Sequence, residues 1–121
     1  MSTTIATVLV SLVALVQITI ATVEMFFWNL PHVHSRLNFT DDEARKVAPI
    51  VANAGLYNSF LAAGLIWGLL SDSGGPRIEV FFLACVVIAG VFGAVTLKWT
   101  TLVLQTLPGA LALVAVWMAR L

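Results

Sequence analysis

Val47–Ser71 reads VAPIVANAGLYNSFLAAGLIWGLLS, 25 residues without a charge. A hydrocarbon core about 30 Å thick is crossed by roughly 20 apolar residues of α-helix, so this stretch is long enough to span a bilayer. Met1–Val23, Val80–Leu97 and Trp99–Ala119 are also uncharged and of similar length. All twelve charged residues fall in the gaps between these four runs or at their ends. The pattern predicts an all-α integral membrane protein: a four-helix antiparallel bundle with short loops, one transmembrane domain over residues 1–121.

Composition narrows the function classes. Of 121 residues, 60% are hydrophobic and 10% charged, with a mean hydropathy of +1.02. Soluble domains carry about 25% charged residues, so the supply is too small for a water-exposed surface. Net charge is zero and Lys and Arg are scattered, which leaves no electrostatic footprint for nucleic acid. Cys85 is the lone cysteine. It can form no internal disulfide, and a thiol–disulfide enzyme needs a pair. No Lys or Arg precedes Arg36, whereas secretory signals begin with basic residues. Met1–Val23 is therefore read as a retained first helix.

Helix boundaries follow from local signals. The first helix is expected over about 5–28, where Phe26, Phe27 and Trp28 suit an interfacial aromatic belt and Pro31 stops the helix. Residues 29–48 form the only long loop. Within it, Thr40-Asp41-Asp42-Glu43 has capping-box spacing, which predicts a short surface helix leading into the second span. That span is expected over about 49–70, with Pro49 in its first turn. Ser71-Asp72-Ser73-Gly74-Gly75-Pro76 is a turn by composition. The third and fourth helices are expected over about 77–97 and 100–120, with Pro108 kinking the last and freeing backbone carbonyls. The long-loop side carries Arg36, Arg45, Lys46 and Lys98 against Arg77 and Arg120 on the terminal side. The positive-inside rule then places the loop in the cytoplasm and both termini outside, in an inner membrane.

Small residues mark where helices touch. Gly64 and Gly68 form a G-x-x-x-G pair, and Ala89 and Gly93 another, with Gly90 beside them. Such pairs let backbones approach closely. They serve either packing within one chain or a homodimer seam.

Polar residues inside the spans gather toward the loop side. Glu24 lies four residues before Trp28, about 6 Å inside the boundary. Asn53 is at a similar depth, with Tyr57 and Asn58 one turn deeper. Gln105 enters from the other end of the loop side, and Gln17 reaches toward the midplane on Glu24's face. Glu24, Asn53, Tyr57, Gln105, Asn58 and Gln17 are thus candidate ligand contacts in a polar pocket open to the loop side. The terminal-side half is expected to be dry. Ionisable groups in a span are costly and are functional candidates by default, so Glu24 leads. Its structural alternatives are a headgroup position or a cap on Asn53 or Tyr57. Asn53 and Tyr57, spaced i, i+4, either line the pocket or join helices, and Asn58 either joins helices or binds. His32 and His34 form H-x-H, but a metal site usually takes three or four protein ligands, so headgroup contact is expected and no metal. Asn38-Phe39-Thr40 matches the glycosylation acceptor pattern, which is short enough to arise by chance. No phosphate loop, nucleophile elbow or cofactor motif is present.

Val23-Glu24-Met25-Phe26-Phe27-Trp28 and the string from Asn53-Ala54-Gly55-Leu56-Tyr57-Asn58 through Gly68 resemble the domain of unknown function 1304 family. Phe81-Phe82-Leu83-Ala84-Cys85-Val86, Ala89-Gly90-Val91-Phe92-Gly93-Ala94, and Gln105 with Pro108 look like its third and fourth helices. The resemblance covers nearly the whole chain. It implies a small four-helix membrane protein of bacterial type, and it brings no activity. Family members carry an acidic residue followed by His in the first helix, where this chain has Val16-Gln17. They also tend to have basic residues near His32 and His34.

The leading functional expectation is a non-catalytic binder of a small amphipathic or lipid-like molecule, embedded in the lipid bilayer. A proton-coupled cation transporter acting as a dimer is one alternative, and a structural or assembly subunit is another. An intramembrane enzyme with Glu24 as general acid or base needs a second positioned group, and Tyr57 is the one on offer.

Overall fold

The computed structural model describes residues 3–121, which leaves Met1 and Ser2 of the first uncharged run outside the described residues. Four helices are long and apolar enough to cross a membrane: α1 (Thr3–Phe27), α3 (Asp41–Leu70), α4 (Gly75–Thr96) and α5 (Leu102–Arg120). A single turn of helix, α2 (Pro31–His34), and a 3₁₀ turn over Ser35–Leu37 lie between α1 and α3. No strand occurs among the described residues.

The chain runs up and down, each helix antiparallel to the next. α1 packs against α3 and α5, and α4 packs against the same two. α1 buries Ala6, Val10, Val13, Ala14, Gln17 and Ala21, a repeat of three and four that puts one stripe inward. Leu65, Leu83, Val86, Ala112, Ala115 and Val116 complete the mid-bundle core. The outer surface is as apolar as the core. Phe81, Ile88, Phe92, Leu111 and Trp117 are exposed, on a scale that in water would form an extended adhesive patch.

Lipid removes the hydrophobic drive between helices, so close packing must hold them. Gly64 sits against the Phe82 ring. A Cβ on Gly68 would come within 2.6 Å of Glu79 Cγ and 3.2 Å of the Gly75 carbonyl. Gly90 faces Thr106, Gly93 faces Thr101, and Gly109 faces Val86 and Val87. These glycines are used between helices of the same chain.

Three local expectations are corrected. The capping box is present, with the Glu43 amide donating to Thr40 Oγ1 and the Thr40 amide donating to Glu43 Oε1. It starts the long α3 itself, and the expected short helix between the first two spans is α2, ahead of the box. At about 1.5 Å per residue the 30 residues of α3 reach about 45 Å, so its capped, charged first turns project beyond an apolar layer about 30 Å thick. Pro49 therefore lies inside the helix and not in its first turn. The carbonyl it cannot serve belongs to Arg45, in the exposed extension, where water can bond it.

Trp28 is the second correction. It is buried and not in an interfacial belt, although Phe26 and Phe27 are exposed as expected. Its indole Nε1 donates to the Ala44 carbonyl at 3.0 Å, and Phe39 meets its ring edge-on at 5.5 Å. His34 is the third: it is buried beneath the loop rather than set at headgroups. The long loop folds back as a cap joining the end of α1 to the start of α3.

Candidate intramembrane polar site

Glu24 stands in a wide π-helical turn, Val23–Phe27, that ends α1. A π turn inserts an extra residue into the helix and re-aims the side chains that follow. Across from it, Gly55 lets α1 approach α3: a Cβ there would lie 3.0 Å from Glu24 Cβ and 3.1 Å from the Ala21 carbonyl. Asn58, one turn along α3, donates from Nδ2 to Glu24 Oε1 at 2.6 Å. Both side chains are only partly buried. Among the described residues no Lys, Arg or His is ion-paired to Glu24.

Two helical turns earlier on α1, Gln17 is fully buried. Its Nε2 donates to Gln105 Oε1 at a long 3.4 Å, and its own Oε1 is buried with no partner among the described residues. Gln105 lies in a second π turn, Leu102–Thr106, that opens α5 just before Pro108. The disturbance expected as a kink at Pro108 is thus carried by this wide turn. Thr106 Oγ1 donates to the Val87 carbonyl at 3.2 Å and Thr101 Oγ1 to the Gly90 carbonyl at 2.8 Å, fastening the loosened segment to α4.

Four of the six candidates therefore meet in pairs, Glu24 with Asn58 and Gln17 with Gln105. The other two do not. Asn53 and Tyr57 are exposed, Tyr57 with 58% of its surface open and its ring 6.0 Å from that of Phe60. The reason is helical geometry. Gly55 faces α1, and residues two before and two after it are turned about 200° away. The acid–base pair of Glu24 with Tyr57 that an enzyme would need is not assembled.

The terminal-side half is not dry, which corrects the expected asymmetry. Glu79 is fully buried, and Arg120 Nη1 donates to both of its carboxylate oxygens at 2.5 and 2.7 Å. Gly68 supplies the space in which Glu79 lies. Beside the pair, an open groove of about 520 Å³ is lined by Arg77, Val80, Trp117 and Leu121. In the sequence, Glu79 is simply the charge that bounds the uncharged run Val80–Leu97. Two opposite charges, near the start of one span and the end of its antiparallel neighbour, are the signal that could have found the pair.

The protein thus has two layers of intramembrane polarity separated by aliphatic packing. One holds a carboxylate neutralised by its own arginine. The other holds a carboxylate whose bonded partner is an uncharged amide. Chemically, the second can accept a proton, a hydrogen bond or a cationic group.

No curated protein and no solved structure matches the chain. A family model described as "Protein of unknown function (DUF1304)" matches residues 11–117, and the chain, carrying that match over most of its length, belongs to this family.

Proposed function

We propose that this is a multi-pass membrane protein that binds, without transforming it, a small amphipathic molecule with a cationic head. The head sits at Glu24 and Asn58, and the apolar tail lies along the lipid-facing surface of the bundle. The observation that carries this reading is the contrast between the two carboxylates. Glu79 has Arg120, while Glu24 has one neutral donor and a side that is still partly open. An anionic group in a low-dielectric setting is costly unless paired, so a cation arriving from the bilayer gains more at Glu24 than at any other acid in the spans.

The test is thermal stability in lipid nanodiscs with decylamine and with decanol, a neutral molecule of equal chain length. Decylamine should raise the unfolding temperature of the parent and have little effect on Glu24→Gln. Decanol should affect both alike. Equal stabilisation of parent and variant by decylamine would remove Glu24 from the site.

The same reading places the chain in an inner membrane with the 29–48 loop cytoplasmic and the termini outside. Arg77 and Arg120 on the terminal side stand against Arg36, Arg45, Lys46 and Lys98 on the loop side, in keeping with the positive-inside rule. A cysteine placed at Asn38 in a Cys85→Ala background should react with an impermeant maleimide only after cells are opened. Labelling of intact cells would reverse the orientation.

A further inference from the structure

His34 is the one buried histidine, with 3% of its surface exposed, and both ring nitrogens point at acceptors. Nδ1 lies 2.9 Å from the Trp28 carbonyl oxygen, and Nε2 lies 2.7 Å from Asp41 Oδ1. A carbonyl oxygen cannot donate. A neutral imidazole has a single N–H, so it can serve one of these acceptors while its other nitrogen presents a lone pair to the second. Both contacts are favourable together only when the His34–Asp41 pair holds one extra proton. Imidazole is ordinarily a stronger base than a carboxylate, which puts that proton on the ring.

We propose that His34 is a proton-operated latch. As an imidazolium it ties the end of α1, through the Trp28 backbone, to the first turn of α3, through Asp41; loss of the proton releases one of the two ties. The cap around it magnifies the effect. Trp28 also bonds Ala44 through its indole, its ring lies 5.9 Å from that of His34, and Phe39 closes its other side. The Phe39 amide donates to the His34 carbonyl, so movement of His34 is transmitted to the whole 34–41 segment. Deprotonation therefore loosens the cover over the loop-side end of the bundle, next to the turn that carries Glu24. The latch does not depend on what Glu24 binds.

The charges acting on the ring are few. Asp41, from α3, favours the cation, and Arg45, one turn further along α3, opposes it. From α1 the ring meets the neutral Trp28 carbonyl. From beyond α4, Lys98 Nζ donates to the Arg36 carbonyl at 2.6 Å, which anchors the same loop. The hydrogen bonds to Trp28 and then to Asp41 hold the His34 pKa above its ordinary value of 6.5, against the opposing effects of burial and Arg45. A raised native pKa gives a stabilisation that is complete below the ordinary value and is lost as pH rises through the native one. The latch is shut in mildly acidic conditions and opens on the alkaline side.

The experiment is a pH titration of ¹⁵N-histidine-labelled protein in lipid nanodiscs, followed by NMR together with the exchange rate of the Trp28 indole proton. His34 should keep two protonated nitrogens above pH 6.5, its ordinary midpoint, and Trp28 exchange should quicken at the His34 midpoint. Asp41→Asn should lower that midpoint. A His34 midpoint at or below the ordinary value, or a Trp28 exchange rate that passes through the His34 midpoint unchanged, overturns the proposal. Both readings come from the parent protein and stand even if Asp41→Asn does not fold.

Discussion

A single side chain decides how each carboxylate in the spans behaves. Arg120 turns Glu79 into a structural clasp between α4 and α5, buried against Gly68. Removing one partner of a buried pair leaves an uncompensated charge, which costs about 3–5 kcal/mol. Arg120→Ala should therefore lower the unfolding free energy by about that amount. Replacing both members together, as Glu79→Leu with Arg120→Met, should cost far less, because apolar side chains of similar size need no partner there. Reversible unfolding in lipid-like micelles measures both. A double variant as weak as the single one would mean that the clasp contributes through more than charge compensation. Among the described residues Glu24 has no such partner, and its prominence was legible from sequence because any acid inside an uncharged run stands out. The clasp was equally present in the sequence as two opposite charges at matching ends of antiparallel spans. It was missed because each charge lies at a helix end, where an exposed, interfacial role is the ordinary one.

At the scale of elements, charge-free runs point to four helices long enough to cross lipid, because the length of an apolar segment is a direct physical requirement of crossing it, but the second helix starts at Asp41, well before the expected 49. Local signals were less reliable where they overlapped. Thr40 and Glu43 do form the expected box, yet nothing between Glu43 and Pro49 breaks the helix, so surface turn and span are one rod. The two π turns had no clear sequence signature beyond Pro108 near one of them. They matter to the site, because each carries one of the polar residues, Glu24 and Gln105, that meet partners on other helices. Helical phase explains the failed placements as well. Asn53 and Tyr57 share a face, as their spacing requires, but which face turns inward was set by Gly55, whose lack of a side chain admits α1. Reading the glycines before the polar residues would have turned α3 the right way.

For the whole molecule, an aliphatic layer separates the Glu79–Arg120 pair from the Gln17–Gln105 contact. Val10, Val13, Leu83 and Val86 fill that layer. The terminal end is locked by an ion pair, whereas the loop end is held by amide contacts, two wide turns and a folded cap. The central claim is that Glu24 lacks an internal cation and takes one from a bound amphiphile. The most direct measurement is the solid-state ¹³C signal of the Glu24 carboxyl in lipid bilayers, assigned with Glu24→Gln, before and after adding decylamine. The account predicts that the amine moves this signal to that of a paired carboxylate and leaves Glu79 unchanged. A Glu24 signal that stays still at saturating amine, in protein shown to be folded, would contradict it.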